Sequence, residues 1–213
     1  TITSGAAASL VVLQDNLAFT AAKTDSITLS ERGLDVNGFT IKGNSAINRL
    51  LITTNTLGTS TNRTITNALV TTFDFVDFRD ITFTTAGALD LTNGATKLIG
   101  DCGNNTASGG ALTFTTSRVC NFITAAGGDW DTVANWDTTT DADRVPLPQD
   151  DVTTATAFNS GVTITADMPR LGRDITFAGA TATGAGVLPT FTLGNAVTSY
   201  GSLNFGTSTT GLK

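Results

Sequence analysis

The pentapeptide Arg79-Asp80-Ile81-Thr82-Phe83 recurs letter for letter as Arg173-Asp174-Ile175-Thr176-Phe177, and small residues and glycine follow both copies. In each copy apolar and polar residues alternate, which is typical of a short β-strand with one buried face. A looser apolar-Thr-apolar unit recurs at Ile27-Thr28-Leu29, Phe39-Thr40-Ile41, Leu112-Thr113-Phe114, Val162-Thr163-Ile164, Phe191-Thr192-Leu193 and, with Asn in the middle, Leu203-Asn204-Phe205. The sequence therefore predicts many short strands of one kind.

These strands follow a regular period in the last third of the chain. Ile164, Phe177, Phe191 and Phe205 lie 13, 14 and 14 residues apart, with Gly-rich or Asn-rich turns between them. Such a period is typical of a solenoid, in which two strands per turn predict coils of roughly 28 residues and three strands predict larger ones. We expect the four side chains to point into one continuous core. A β-sandwich with evenly spaced strands would show the same rhythm.

The composition indicates an all-β protein. Of 213 residues, 40% are hydrophobic and only 14% are charged, while Thr makes up about a fifth of the chain and Gly contributes 22 residues. Thr is β-branched and Gly interrupts helices, so both disfavour helical structure. We predict a parallel β-helix, that is, a β-solenoid with irregular coils. The β-sandwich stays as the alternative.

Charge and residue content exclude several classes of function. The net charge is −6 and no basic run is present, so we expect no nucleic-acid partner. No stretch approaches 18 apolar residues, so no membrane span is expected. The chain has no His, which excludes Ser-His-Asp and Cys-His catalysis and His-ligated metals. It also has no phosphate-binding loop and no dinucleotide-binding fingerprint.

The chain is predicted to contain two solenoid segments joined by a loop. The first segment spans residues 1–124, residues 125–151 form a connecting loop rich in Trp and Asp, and residues 152–213 continue the solenoid. The first residue is Thr1, the sole Met is Met168, and the C-terminus, Gly211-Leu212-Lys213, does not resemble a solenoid cap. We therefore expect the chain to be part of a longer protein.

A motif in and around the connecting loop resembles a known family. Gly128-Asp129-Trp130, Asn135-Trp136 and the stretch from Val145 to Val152, VPLPQDDV, resemble the G-x-W…N-W…P…D-x-V pattern of β-helical repeat modules. These modules occur in tailed-phage virion structural proteins and bacterial surface proteins. The resemblance covers about the second 90 residues. It implies a parallel β-helix in a virion fibre, spike or appendage, or in a secreted adhesin, and it transfers no catalytic residue.

Three Asp residues form the best candidate for acid chemistry. Asp74, Asp77 and Asp80 lie within the stretch FDFVDFRD, residues 73–80, where strand alternation changes phase before Phe78 and indicates a bend or bulge. Two carboxyl groups about 5–9 Å apart could hydrolyse a glycosidic bond. The structural interpretation is preferred, in which Asp80 pairs with an arginine and the other two cap turns. No catalytic residue is predicted.

A second acidic group is a candidate metal site. Seven Asp lie between Asp129 and Asp151, and alternating Asp could bind a hard cation such as Ca²⁺ through oxygen ligands. The candidate ligands are Asp129, Asp131, Asp141 and Asp143. The spacing of an EF-hand is absent, and Asx turns in a solvated loop explain the same residues.

The remaining candidates are cysteine, tryptophan and threonine side chains. Cys102 and Cys120 could form a disulfide between adjacent coils or remain buried thiols. Trp130 and Trp136 are the candidate ligand-binding residues, because aromatic rings form platforms for sugars, but we expect burial against the Pro-rich segment that follows them. Exposed rows of Thr and Asn could bind glycans or simply stabilise stacked strands.

The sequence thus favours a structural or adhesive segment of a phage virion or bacterial surface protein, located on the virion or outside the cell. Expected partners are other fibre subunits, a host glycan and further copies of the chain. The alternatives are a carbohydrate-active β-helix enzyme, such as a glycan depolymerase, and a carbohydrate-binding module.

Overall fold

The computed structural model describes residues 11–20, 26–29, 33–58, 63–66, 73–92, 98–137, 144–154, 158–168, 170–177, 190–194 and 199–204. The chain divides into two compact units, Thr1–Thr116 and Ser117–Lys213. The connecting loop predicted at residues 125–151 therefore belongs to the second unit, and the division between the units falls before it.

The first unit is built from short strands, as its alternating sequence predicts. Its strands are β1 (Val11–Val12), β2 (Leu17–Ala18), β3 (Ser26–Leu29), β4 (Leu34–Asp35), β5 (Ile41–Lys42), β6 (Leu50–Thr54), β7 (Thr64–Thr66), β8 (Phe73–Asp74), β9 (Val76–Phe78), β10 (Thr82–Thr84), β11 (Leu89–Asp90), β12 (Ile99–Asp101), β13 (Thr106–Ala107) and β14 (Leu112–Thr113).

Every sheet of the first unit takes every third strand of the chain. Sheet 1 has the order β1-β4-β7-β10-β13, sheet 2 the order β3-β6-β9-β12, sheet 3 the order β2-β5-β8, and sheet 4 pairs β11 with β14. All these pairs are parallel. Such an order is consistent with a parallel β-helix that has three strands per turn.

The repeat of the first unit is about 24 residues long. Thr82 pairs with Thr106 across sheet 1, and their hydroxyl groups, 24 residues apart, lie 3.1 Å from each other. Side chains at turns make bonds at the same interval, since Asn16 Oδ1 accepts the backbone N–H of Thr40 at 2.8 Å. The expectation that three strands need a coil longer than 28 residues is therefore wrong here, because most of the strands are only two or three residues long.

One repeat is longer than its neighbours. Leu34 pairs with Ile65, a wider interval than that between Val11 and Leu34. Part of the added chain follows β6 and includes Leu57, which is 60% exposed. Arg63 fixes the end of this excursion, because its Nε donates to the Leu29 carbonyl at 3.1 Å and its Nη2 to Asn55 Oδ1 at 3.0 Å. The predicted irregularity of the coils is thus partly an insertion between sheets 2 and 1.

Sheets 1, 2 and 3 contribute to one hydrophobic core. Its centre is a chain of edge-to-face phenylalanine contacts, in which the Phe78 ring lies 5.0 Å from Phe73 and 5.1 Å from Phe83. Its buried members are Ile27, Leu29, Leu34, Val36, Ile41, Leu50, Ile52, Ile65, Phe73, Val76, Phe78, Ile81, Phe83, Leu91 and Ile99. The inward positions of the strands therefore carry the apolar residues that their alternation predicts.

The predicted bend before Phe78 is confirmed and lies at Phe75. This residue has a φ of 53°, in the left-handed region that a bulky side chain rarely adopts, and it separates β8 from β9. Phe73 is buried and Phe75 is half-buried, so the two rings do not share one buried face as strict alternation predicts. The turn shifts the phase and places Val76 and Phe78 in the core.

The second unit also contains parallel sheets, but at a different strand interval. Its strands are β15 (Val119–Asn121), β16 (Gly128–Asp129), β17 (Asp151–Thr153), β18 (Thr163–Ala166), β19 (Ile175–Thr176), β20 (Thr190–Gly194) and β21 (Ser199–Asn204). Sheet 5 has the order β15-β17-β19 and sheet 6 the order β16-β18-β20-β21. Both take alternate strands until β21, which pairs with β20 in the antiparallel sense. The antiparallel pairing of β21 departs from the parallel order of the other strands of sheet 6.

The predicted core positions of the second unit are partly confirmed. Ile164 and Phe191 are register partners and are 0% and 2% exposed. Phe177 is only half-buried, although its ring lies 5.5 Å from that of Phe191. Phe205 lies outside the described residues. Among the described residues, no helix is long and apolar enough to cross a membrane.

Candidate functional site

The Trp motif forms a hydrogen-bonded turn at the start of the second unit. After β16 the chain passes through a 3₁₀ turn at Val133–Asn135, and Asn135 Nδ2 donates to the Asp129 carbonyl at 2.8 Å. The indole N–H of Trp136 donates to the Trp130 carbonyl at 2.9 Å, and that of Trp130 to the Leu171 carbonyl at 3.1 Å. Both donors of the paired indoles are therefore satisfied inside the protein.

Both indole rings are buried, as expected from their apolar area. Trp130 and Trp136 are 0% and 1% exposed, and their rings meet edge to face at 4.8 Å. Phe122 lies 5.2 Å from Trp136, and Phe191 lies 5.2 Å from Trp130. Neither ring presents a face to solvent. Trp130 and Trp136 therefore offer no accessible aromatic surface on which a ligand could stack.

A buried charge network surrounds Asp150, the Asp that precedes Asp151-Val152 in the motif. Asp150 is 0% exposed and forms an ion pair with Arg144, whose Nη2 donates to Asp150 Oδ1 at 3.0 Å. Backbone N–H groups of Arg118 and Leu147 donate to the same carboxylate at 2.9 and 2.7 Å. Arg118 Nη2 also donates to the Arg144 carbonyl at 2.8 Å. Two guanidinium nitrogens of Arg144 and the two backbone N–H groups thus donate to a carboxylate that is shielded from water.

Cys120 lies beside this network as a buried thiol. Its Sγ accepts from Arg118 Nε at 3.3 Å and lies 3.7 Å from Asp150 Oδ2. Burial raises the pKa of the Cys120 thiol, and the Asp150 carboxylate raises it further, while the hydrogen bond from Arg118 and the charges of Arg118 and Arg144 act in the opposite direction. The side chain is a structural neighbour of Asp150 and is not an activated nucleophile.

Of the two alternatives for Cys102 and Cys120, a disulfide or free thiols, the structure has free thiols. Cys102 and Cys120 both carry thiols, Cys102 partly buried after β12 and Cys120 fully buried in β15. The two residues belong to different compact units. The Cys120 side chain is directed into the Asp150 network, which accounts for its burial without a sulfur partner.

Part of the predicted acidic cluster comes together. Carboxylate oxygens of Asp129, Asp131 and Asp167 lie within 4.8 Å of one another. Asp167 Oδ1 also accepts the backbone N–H of Asp131 at 3.0 Å, so the cluster is held together partly by the chain itself. Asp141 and Asp143 lie outside the described residues. Binding of Ca²⁺ stays a prediction, now with Asp167 among the oxygen ligands.

The three candidate residues Asp74, Asp77 and Asp80 each contact a cation of the chain. Lys42 Nζ lies 3.1 Å from Asp74, and Arg49 lies 2.6 Å from Asp77. Asp80, which is 1% exposed, lies 3.5 Å from Arg79 Nε and accepts from Asn104 Nδ2 at 2.7 Å. The preferred interpretation is thereby corrected in one respect, because Asp74 and Asp77 form ion pairs instead of capping turns.

Sequence reasoning missed the arginine partners and Asp167. Arg49 and Arg144 lie 28 and 6 residues from their carboxylates, at intervals that no strand or helix period predicts. Asp167 is distant in sequence from the Asp-rich stretch and is brought to it by the pairing of β16 with β18. A known register for β16 and β18 would have placed Asp167 next to Asp131.

Comparison of the chain with protein-family models, curated proteins and solved structures found no match. The resemblance to β-helical virion and surface modules stays a prediction based on the motif. In the structure, the motif residues Trp130, Trp136 and Asp150 are buried and hydrogen-bonded within the second unit.

Proposed function

We propose that the chain is a parallel β-helix segment with a structural or adhesive role in a phage virion fibre, spike or appendage, or in a bacterial surface protein. The observation that carries the proposal is the strand order of the first unit, in which every sheet takes every third strand. Each turn of such a helix adds about 4.8 Å of length, the spacing between paired strands. Fibres and appendages can be built from repeats that add length in this way.

Side-chain bonds between successive repeats support this proposal. Asn44 Nδ2 donates to the Thr20 carbonyl and Asn105 Oδ1 accepts from Ile81 N–H, each across 24 residues. These bonds join equivalent turns of neighbouring repeats, so the polar residues at the corners serve stacking. Such stacking makes stability a sum of contacts between neighbours, as in other repeat proteins.

The carboxylates favour a scaffold over a glycan-cleaving enzyme. A glycosidase needs one carboxyl group with access to substrate and a raised pKa, and another at a fixed distance. Asp77 is 0% exposed, and its Oδ1 accepts from Arg49 Nε at 2.7 Å. Asp74 contacts Lys42 on the paired strand. The enzyme remains the rival function, and the fully paired Asp77 argues against it.

The proposed location is the virion or the cell surface, and the proposed partners are other fibre subunits and a host glycan. Antibodies raised against the chain should label intact particles or unpermeabilised cells of the source. Labelling that appears only after lysis would contradict the surface location. Labelling blocked by a soluble host glycan would support an adhesive role over a purely structural one.

The enzymatic rival has a separate test. The purified chain is incubated with a panel of bacterial polysaccharides, and release of reducing ends is measured. We expect no release. Release by the parent chain that is lost in both Asp74→Asn and Asp77→Asn would replace the scaffold proposal with a depolymerase. Arg173, whose exposed ion pair with Asp151 lies in the second unit, provides a control substitution, Arg173→Gln.

A further inference from the structure

The corner between β8 and β9 places an aromatic ring at the surface of the first unit. Phe73 and Phe78 lie in the hydrophobic core, whereas Phe75 lies outside it and is half-buried. The ring of Phe75 contacts Lys42, whose Nζ lies 5.5 Å from the ring centroid. Lys42 is exposed and follows the buried Ile41 on β5, so the ring lies on the outer side of the sheet.

The backbone at Phe75 is unusual for so large a residue. Its φ of 53° lies in the left-handed region. The other described non-glycine residues with positive φ are Asn37, Asp80 and Asn104, whose short polar side chains tolerate this region. The turn alone therefore does not require a phenylalanine, because glycine or asparagine would make it with less strain. Strained residues of this kind are concentrated at functional sites.

A loop of the preceding repeat projects next to this corner. Residues 43–49 connect β5 to β6, whereas Phe75 alone connects β8 to β9 in the next repeat, although the flanking strands are paired. Gly43 N–H, at the start of the loop, donates to the Asp74 carbonyl at 2.9 Å. Leu50 N–H, just after the loop, donates to the Phe75 carbonyl at 3.0 Å. The loop thus begins and ends at the corner, and it forms a step beside Phe75.

Hydrogen bonds hold this loop in one shape. The N–H groups of Asn44 and Ser45 donate to the Asn48 carbonyl at 3.1 and 3.3 Å, and Asn48 N–H donates to Ser45 Oγ at 3.1 Å. The Asn44 side chain also ties the loop to the repeat before it, since its Nδ2 donates to the Thr20 carbonyl at 2.7 Å. A ligand bound beside the loop would therefore need to order little of the chain, which favours binding.

An ion pair without net charge lies beside the Phe75 ring. Lys42 Nζ lies 3.1 Å from Asp74 Oδ2, and the two side chains are 46% and 18% exposed. The ammonium group donates hydrogen bonds and the carboxylate accepts them. Two adjacent hydroxyl groups of a sugar offer the complementary acceptor and donor, and the C–H groups of a sugar ring pack on an aromatic face.

We propose that Phe75, Lys42 and Asp74 bind a neutral hexose unit of a glycan. Phe75 packs against the apolar face of the sugar, while Asp74 accepts a hydrogen bond from one hydroxyl and Lys42 donates to the next. The contact between Lys42 and the Phe75 ring is weak at an exposed position, so a sugar can replace it. An acidic sugar would be repelled by Asp74. This inference rests on the adhesive form of the proposed function, and it names the contact site and the class of glycan.

The experiment measures binding of the fluorescently labelled full-length chain to immobilised oligosaccharides. The panel contains neutral oligosaccharides of glucose, galactose and mannose, sialylated and sulfated oligosaccharides, and an uncharged extended peptide. The parent chain should bind a neutral oligosaccharide in preference to the charged ones and the peptide.

Two substitutions in the site should weaken this binding by about tenfold or more. Phe75→Gly removes the ring, and its melting temperature should change little, because glycine relieves the strain at the left-handed φ. Asp74→Asn removes the charged acceptor. The matched control is Asp151→Asn, which removes an exposed carboxylate paired with Arg173 in the second unit and should bind as the parent does.

The inference is wrong if the parent chain binds no neutral oligosaccharide, or if both site variants bind as tightly as the parent. A preference for sialylated or sulfated oligosaccharides, or for the peptide, would also overturn it. These outcomes are distinct from the labelling of particles or cells. Surface labelling without sugar binding would leave the structural role and remove this site, whereas sugar binding by a chain that is labelled only after lysis would keep the site and contradict the surface location.

Discussion

The guanidinium group of Arg49 lies 2.6 Å from the carboxylate of Asp77, and the two side chains are 2% and 0% exposed. The same guanidinium donates to the carbonyl oxygens of Val76 at 3.1 Å and Leu98 at 2.7 Å. These groups lie at or beside three successive strands of sheet 2, β6, β9 and β12. One buried side chain thus joins three repeats of the first unit.

Removing the carboxylate of Asp77 should destabilise the first unit strongly. Asp77→Ala leaves the Arg49 charge buried without its counter-ion, and we expect the free energy of unfolding to fall by about 3–5 kcal/mol. Chemical denaturation measures this loss. Asp74→Ala provides the matched control, because its partner Lys42 is 46% exposed and a surface pair contributes about 0–1 kcal/mol. Equal losses of unfolding free energy in the two variants would mean that the buried Arg49–Asp77 pair contributes no more to stability than the exposed Lys42–Asp74 pair.

Truncation of Trp136 should destabilise the second unit. Trp136→Ala removes a ring that is 1% exposed and lies 4.8 Å from Trp130, so we expect a cost of about 3–5 kcal/mol. Phe177→Ala should cost less than that range, because Phe177 is half-buried. Hydrogen exchange should accelerate at the backbone N–H groups of Trp136 and Asp137 in the first variant. A larger loss for Phe177→Ala would contradict the burial order.

The strand pattern was predictable from the sequence because alternation and β-branching act locally. The unit Val162-Thr163-Ile164 indicates which residue points inward, and Ile164 is buried. Sheet membership was not predictable, since it depends on the number of residues between strands, and short strands gave three per 24-residue repeat. The reversal of β21 against β20 also has no local signal in its apolar-polar pattern.

The identical pentapeptides also show that local sequence does not determine how deeply a strand is buried. Ile81 and Phe83 are fully buried, whereas Ile175 and Phe177 are only half-buried. β10 lies between two partners in sheet 1, but β19 is the edge strand of sheet 5 among the described residues. The two identical pentapeptides therefore have different numbers of neighbouring strands, and the copy with more neighbours is more deeply buried.

Gly43 should not tolerate a side chain. A Cβ at this position would overlap the Phe75 carbonyl oxygen and lie 2.8 Å from Leu50 N, two backbone atoms that are hydrogen-bonded to each other at 3.0 Å. Gly43→Ala must therefore displace the left-handed corner at Phe75, and we expect a clear drop in melting temperature. Gly87→Ala is the control, because open space surrounds its Cβ, and it should change stability by about 0.5 kcal/mol or less. Similar melting temperatures for the two variants would contradict this account of the corner.

Cys120 should make the second unit less stable at alkaline pH. Burial raises the pKa of this thiol, so the folded state holds its proton at pH values where the unfolded chain has lost it. The contribution of the protonated Cys120 thiol to the stability of the folded state is complete below the ordinary thiol pKa of about 8.5. It is lost as the pH rises towards the pKa of the thiol in the folded state. Between pH 8 and 10, the free energy of unfolding should therefore decrease more steeply for Cys102→Ser than for the same chain that also carries Cys120→Ala.

The comparison of these two variants isolates Cys120, because the other groups that titrate in this range are present in both chains and cancel. The cavity left by Cys120→Ala lowers the free energy of unfolding by an amount that does not depend on pH. The effect of thiol ionisation is therefore read from the slopes of the free energy of unfolding against pH. Iodoacetamide should also label Cys120 slowly in the folded Cys102→Ser chain, since the thiol is 3% exposed and protonated. Parallel curves together with rapid labelling would show that the thiol is accessible and ionises normally, and the contact of Cys120 with the buried Asp150 network would then be wrong.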